Sequence, residues 1–161
     1  AAGHVRDAAP EMMAAPLAAV AAADDGDGVH ADATWDEVAA VNDAAYGIPA
    51  GYGFTRLFGG APEVQPGVYR AVVRSAGRAV CCAVAHEQDG DAYVAFVATD
   101  PEYRRRGLAS RLMRRMLAGA GARGCTTTTL EASALGRGVY AAMGYRALGP
   151  AEMWERRPGT A

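Results

Sequence analysis

Apolar residues recur at Leu108, Leu112, Met113, Met116 and Leu117, with Arg111, Arg114 and Arg115 between them, and this is one face of a 3.6-residue period. The spacing predicts a helix over about 107–120, ended by the glycine-rich run at 119–124. A second helix is predicted from about 35 to 46. Thr34 and Glu37 have the Thr-x-x-Glu spacing of a capping box, and Trp35, Val38, Val41 and Ala45 continue as an apolar stripe. Elsewhere the pattern is strand-like. Gly67 to Ser75 and Arg78 to His86 are two runs joined at Ala76-Gly77, and a turn at 87–91 leads into a third run from Ala92 to Thr99, which together read as an antiparallel meander. Cys125 to Glu131, heavy in threonine, reads as another strand, and Tyr145–Leu148 with Met153–Arg156 around Gly149-Pro150 suffices for a terminal hairpin. The expected class is α/β. Strands 92–99 and 125–131, joined by a helical crossover, should be parallel neighbours.

Two stretches are less legible. Residues 1–33 are alanine-rich, with a short apolar element at Met12 to Val20 and an acidic run, Asp24-Asp25-Gly26-Asp27-Gly28. Those carboxylates do not alternate as an EF-hand requires and no Glu closes the loop, so the run reads as a solvated turn. Gly47 to Gly67 mixes Gly and Pro with Tyr52, Phe54 and Phe58, just after Tyr46, and reads as a loop or short helix. Its aromatic rings either cap the core or line a site.

Composition narrows the chemistry. All sixteen basic residues are arginine, which removes the Walker A phosphate loop, Schiff-base chemistry and a catalytic lysine together. A net charge of −2 argues against a dedicated nucleic-acid binder. Cys81, Cys82 and Cys125 show no C-x-x-C spacing and are expected to be reduced and buried in strands. With 161 residues the chain is long enough to bury roughly two-thirds of its unfolded surface in one domain. No apolar run reaches membrane-spanning length and the start lacks a signal peptide's basic region, so the expectation is a soluble cytoplasmic protein. Its start at Ala rather than Met suggests processing or a fragment.

The chemistry concentrates in Val97 to Leu112. An apolar strand ends at Thr99, a Pro-containing turn follows, and Arg104-x-x-Gly107-x-Ala109 opens the helix. The first turn of a helix has several N–H groups without intrahelical partners, the small Gly107 and Ala109 permit close approach, and Arg104, Arg105 and Arg106 add charge beside the positive end of the helix dipole. These features read as a pyrophosphate cradle. The stretch resembles motif A of the GNAT superfamily of N-acetyltransferases, Arg/Gln-x-x-Gly-x-Gly/Ala. The resemblance implies acetyl-CoA as acyl donor, with its pyrophosphate at Arg104, Arg105, Arg106, Gly107, Leu108, Ala109 and Ser110. It further implies that Val97 and Thr99 pair with the pantetheine arm, and that a backbone N–H near Val97 or Ala98 faces the oxyanion.

Downstream, Ser133-Ala134-Leu135-Gly136-Arg137-Gly138-Val139-Tyr140 runs into Gly144-Tyr145 and resembles motif B of the same superfamily. Tyr140, Gly144 and Tyr145 match that motif. Ser133 and Gly136 replace its usual Asn and Ala, and the Ser133 hydroxyl can replace the Asn amide only in part. By this resemblance Tyr140 is the general acid that protonates the departing thiolate. The fold implied is a mixed, largely antiparallel sheet of six or seven strands flanked by helices, with a V-shaped splay between strands 92–99 and 125–131. Residues 34–161 form that domain and residues 1–33 a poorly defined extension. The region 47–67 corresponds to the segment that covers the acceptor.

The implied activity is acetyl transfer to a primary amine of a small molecule or peptide by direct attack in a ternary complex. No nucleic acid or membrane is involved, and a homodimer is compatible. One alternative is a catalytically silent acyl-CoA-binding module. Another is a dinucleotide-dependent oxidoreductase, because Gly136-x-Gly138-x-x-Ala141 fits the Gly-x-Gly-x-x-Ala fingerprint, although too little chain follows it for a doubly wound domain. Some family members carry a glutamate base where counting back from Arg104 puts Tyr93. A tyrosine near pH 10 is a poor base at neutral pH, so the expectation is that no single carboxylate is indispensable, a water polarised by Glu87, Asp91 or a strand carbonyl taking the amine proton.

Overall fold

The computed structural model describes residues 4–20, 28–49 and 51–156; the acidic run at 24–27 lies outside them. The elements in order are strands β1 (His4–Ala8) and β2 (Glu11–Pro16), helix α1 (Leu17–Val20), β3 (Val29–His30), α2 (Trp35–Tyr46) and α3 (Phe54–Phe58). They continue with β4 (Val68–Ser75), β5 (Arg78–Gln88), β6 (Asp91–Thr99), a 3-10 turn at Pro101–Tyr103 and α4 (Leu108–Ala122). Then come β7 (Thr127–Ala132), α5 (Arg137–Met143), β8 (Arg146–Pro150) and β9 (Met153–Arg156). A seven-stranded sheet runs β3-β4-β5-β6-β7-β2-β8, antiparallel except for the expected parallel pair β6–β7.

Local chemistry explains the regular parts. The capping box closes as its spacing requires: the Glu37 amide donates to Thr34 Oγ1 at 3.2 Å and the Thr34 amide to Glu37 Oε2 at 3.1 Å. Gly47 ends α2 in the left-handed conformation. The turns Ala76-Gly77 and Asp89-Gly90 both have two residues at positive φ, the twist that tight hairpins need, and they set the β4–β5–β6 meander.

Side-chain alternation divides the core in two. Cys81, Val94 and Leu130 face α4, whose Leu112, Met113 and Leu117 are wholly buried, whereas Val72, Cys82 and Val84 face α2 and its Val38 and Val41. Each such large side chain contributes roughly 1.5–3 kcal/mol by burial. The adjacent cysteines therefore point to opposite faces, and all three cysteines are free and buried. None of the described helices is long and apolar enough to cross a membrane.

Two expectations are corrected. The chain end forms no terminal hairpin: β8 pairs with β2, while β9 pairs with β1 in a separate two-stranded sheet. The same pairings remove the expected boundary at residue 33. Strand β2 sits between β7 and β8, with Met13 opposite Leu130 and buried beside it, so residues that read as an extension supply the centre of one half of the sheet. Ladder groups on β7 and β8 need partners, and the N-terminal strand provides them.

Candidate active site

Strands β6 and β7 are paired only through four rungs, Asp91 with Thr127 to Val94 with Leu130. Beyond that point β7 stays with β2 to Ala132, and β6 continues beside β5 to Thr99. The sheet thus opens into the expected V. At the mouth of the V, β6 is bulged: Cys82 pairs with Ala98 but Val84 with Ala95, so one residue of β5 faces two of β6. Phe96 takes up the extra length with φ +52°, a left-handed conformation costing a bulky residue roughly 1–2 kcal/mol.

Alternation then assigns the amides. Asp100 N–H donates to Val80 O at 2.9 Å and the Ala98 amide is turned toward Cys82 on β5. The amides of Val97 and Thr99 accordingly face the side that β7 has left. Ala98 itself is buried in the α2-side core, so its amide and methyl both point away from the V.

The end of β6 leads directly to the helix terminus. Asp100 caps the 3-10 turn through the Glu102 amide at 3.0 Å and accepts from Arg78 at 2.7 Å, a bond that holds its carboxyl below the usual range. Arg105 (φ +60°) and Gly107 (φ +72°) are left-handed and wind the loop onto α4. The first intrahelical bond runs from Arg111 N–H to Gly107 O at 3.1 Å, so the amides of residues 107–110 have no helical acceptor, and Gly107 offers no side-chain cap. A Cβ built on Gly107 meets none of the described residues within 4 Å, which leaves space over those amides. This fits a diphosphate.

The three arginines are not equivalent. Arg104 ties the loop down, donating from Nε to Thr99 O at 3.2 Å and from Nη2 to Ala45 O at 2.8 Å. Arg106 donates to Glu102 O at 2.9 Å and lies 4.9 Å over the Tyr103 ring. Arg105 is exposed and has no side-chain partner among the described residues.

Helix α5 brings Tyr140 into the α4-side core, 8 % exposed, with the Tyr145 ring 6.0 Å away. Burial, and after it the neighbouring Tyr46 hydroxyl and Cys81 thiol, push Tyr140 up to about 12, so it carries its proton at neutral pH. Its ring lies against the backbone of Gly136, where a Cβ would come within 2.8 Å of Cε2. Ser133, expected on the cofactor, uses its hydroxyl to accept the Gly136 amide at 3.2 Å.

The rival fingerprint fails on topology. Gly136 caps a seven-residue helix, and the strand that follows, β8, is the edge of the sheet and is held apart from β7 by β2, so the fingerprint opens no doubly wound parallel domain.

Glu87 and Asp91 do not reach the V. Glu87 is bound to Arg123 Nε at 2.9 Å on the α4 side, and Asp91 accepts from the Thr127 and Thr129 hydroxyls at 2.6 Å each, both at the closed end of β6. The expectation of a water held by either carboxylate is corrected accordingly. A carboxylate absent from the sequence reading is better placed. Glu131 follows Leu130, the last residue paired to β6, and because Leu130 and Ala132 face α4, Glu131 faces the opposite side beside Tyr93. Burial first, and then the Glu131 charge, raise Tyr93.

The aromatic rings after α2 divide between the two readings left open. Phe58 lies tilted against Trp35 (4.7 Å) and meets Phe96 edge-on (5.0 Å), capping the core, while Tyr46 and Tyr52 remain 66 % and 64 % exposed. Buried Asp43 anchors the segment, accepting from the Phe54 and Thr55 amides at 2.8 and 3.1 Å and from the Thr55 hydroxyl at 2.5 Å. No spacing in the sequence marks Asp43, Asn42 or Phe96, since the partners that set them apart, Phe54 and Thr55 for Asp43 and Cys82 for Asn42 and Phe96, fall outside helix and strand periods.

The acetyltransferase (GNAT) domain family matches residues 67–147, half of the chain, and the chain belongs to that family. Solved structures agree over a wider span. A GNAT-family acetyltransferase from Novosphingobium aromaticivorans superposes with TM-score 0.68 at 24% identity, covering 98% of this chain and 69% of its own. A GCN5-related N-acetyltransferase from Kribbella flavida gives 0.64 at 25%, covering 98% and 61%. Another from Sphaerobacter thermophilus gives 0.62 at 20%, covering 98% and 54%. The chain therefore spans less than two-thirds of the latter two proteins. No curated protein matches it significantly in sequence.

Proposed function

We propose that this protein is an acetyl-CoA-dependent N-acetyltransferase acting on a primary amine of a small molecule or peptide, by direct attack in a ternary complex. The observation that carries the reading is the parting of β6 from β7 after Val94, beside a helix whose first amides have no acceptor among the described residues. When bound, acetyl-CoA supplies the activated acyl group. The amides at 107–110 hold the diphosphate, with the exposed Arg105 adding charge. The outward amides of Thr99 and Val97 receive the pantetheine arm and the acyl oxygen, where the Val97 N–H stabilises developing negative charge. Tyr140, protonated well above neutral pH, gives its hydroxyl proton to the leaving sulfur. Glu131, on the other side of the V, takes the proton lost by the amine. An acyl-CoA module without catalysis would not need a buried, protonated Tyr140 together with a carboxylate facing the acceptor side.

The test is calorimetry with acetyl-CoA followed by thiol release over a panel of amines. Gly107→Trp should abolish binding while the protein stays folded, because the left-handed residue has open space around it and adds only about 1–2 kcal/mol of strain. Unchanged affinity in that variant would refute the site.

A further inference from the structure

The bulge at Phe96 has a built support on the α2 side of the sheet. At this break in register its carbonyl lies 3.3 Å from Cys82 Sγ, and Cys82 is wholly buried. The thiol has one proton and two carbonyls nearby, Phe96 O at 3.3 Å and Val38 O at 3.8 Å. Asn42 decides between them. Its Nδ2 donates one hydrogen to Val38 O at 2.8 Å and the other to Cys82 Sγ at 3.3 Å. Val38 O is thereby satisfied and the sulfur's acceptor side occupied, which leaves the S–H for Phe96 O. Asn42 is itself 2 % exposed, so water offers no substitute donor.

We propose that the buried Asn42–Cys82 pair is a positioning device that holds Phe96 left-handed and so aims the Val97 amide into the V. Losing the thiol donor takes from Phe96 O the side-chain hydrogen bond it has among the described residues, and the bulge then relaxes toward a regular strand. One residue of slip turns the Val97 amide away from the acyl oxygen. The pyrophosphate cradle on α4 is untouched by this change. The catalytic consequence rests on the acetyl-transfer reading; the structural one does not.

The test uses Cys82→Ala, Cys82→Ser and Asn42→Leu in the full chain. Backbone 13C shifts and the HN–Hα coupling of Phe96 report its φ. They should move toward extended values in Cys82→Ala and Asn42→Leu, and stay near wild type in Cys82→Ser, whose hydroxyl can still donate. With acetyl-CoA and an accepted amine, Cys82→Ala should lose at least about tenfold in kcat with KM for acetyl-CoA within about threefold, and Cys82→Ser should recover most of it. Phe96 remaining left-handed in folded Cys82→Ala overturns the proposal. So does a kcat within twofold of wild type in that variant. If the wild type binds no acetyl-CoA, the functional reading falls, while the Phe96 shifts still decide whether the pair holds the bulge.

Discussion

Gly136→Ala moves the proposed acid without removing it. A methyl at that position would sit 2.8 Å from Tyr140 Cε2 and 3.4 Å from its hydroxyl oxygen, where ordinary contact begins at 3.4 Å. The ring edge must therefore retreat by about 0.6 Å in a close-packed surround, because Tyr140 is buried and flanked by Tyr145. A tilt of that size carries the hydroxyl on the order of 1 Å, and a misplacement of about 1 Å in a reacting group can cost roughly 10²-fold in rate. The loss of stability should be modest. Gly136 has helical angles (φ −82°, ψ −26°) that alanine adopts, so the gain of about 0.4–1 kcal/mol from a stiffer unfolded chain offsets part of a crowding cost of roughly 1–3 kcal/mol. Thiol release in single turnover at saturating acetyl-CoA and amine, beside thermal melts, separates the two effects. Tyr140→Phe keeps the ring and should lose about 10²-fold or more in kcat. The double variant should be no worse than Tyr140→Phe alone, since both changes act on one hydroxyl. Wild-type kcat in Gly136→Ala, with chemistry rate-limiting, would refute the role given to Tyr140, and so would losses that simply add.

Glu131→Gln should lower kcat by about 10²-fold with little change in acetyl-CoA affinity, and activity within threefold of wild type would remove Glu131 as the proton acceptor. Alkaline stability follows from the two buried tyrosines. Burial, chiefly, pushes Tyr140 and Tyr145 each up to about 12, against an ordinary value of 10.0. Their neutral forms favour the fold fully below pH 10, and that contribution is lost as pH rises from about 10 toward 12. The melting temperature measured between pH 9 and 11.5 should thus fall more steeply in wild type than in Tyr145→Phe; parallel slopes would contradict the burial of that hydroxyl.

Much of this fold is local and therefore legible in the sequence. The Thr34–Glu37 box, the apolar stripe from Leu108 to Leu117 and the Ala76-Gly77 turn act over three or four residues, and each lies in the structure where its spacing put it. The helix-terminal amides at 107–110 were equally readable, because a helix start without a side-chain cap exposes them wherever it occurs. What only the tertiary structure decided depends on partners far apart in the chain. Strand β2 is one short apolar run whose place between β7 and β8 comes from their unpaired ladders, more than 110 residues away. Phe96 reads as an ordinary strand residue, yet its left-handed turn follows from Cys82 and from the rings of Phe54 and Phe58 packed against it. Arg104 was expected on the diphosphate and instead ties its loop to Ala45. Glu131 alternates out of the core only because Leu130 is buried in it, a fact of sheet register that no spacing along the strand expresses.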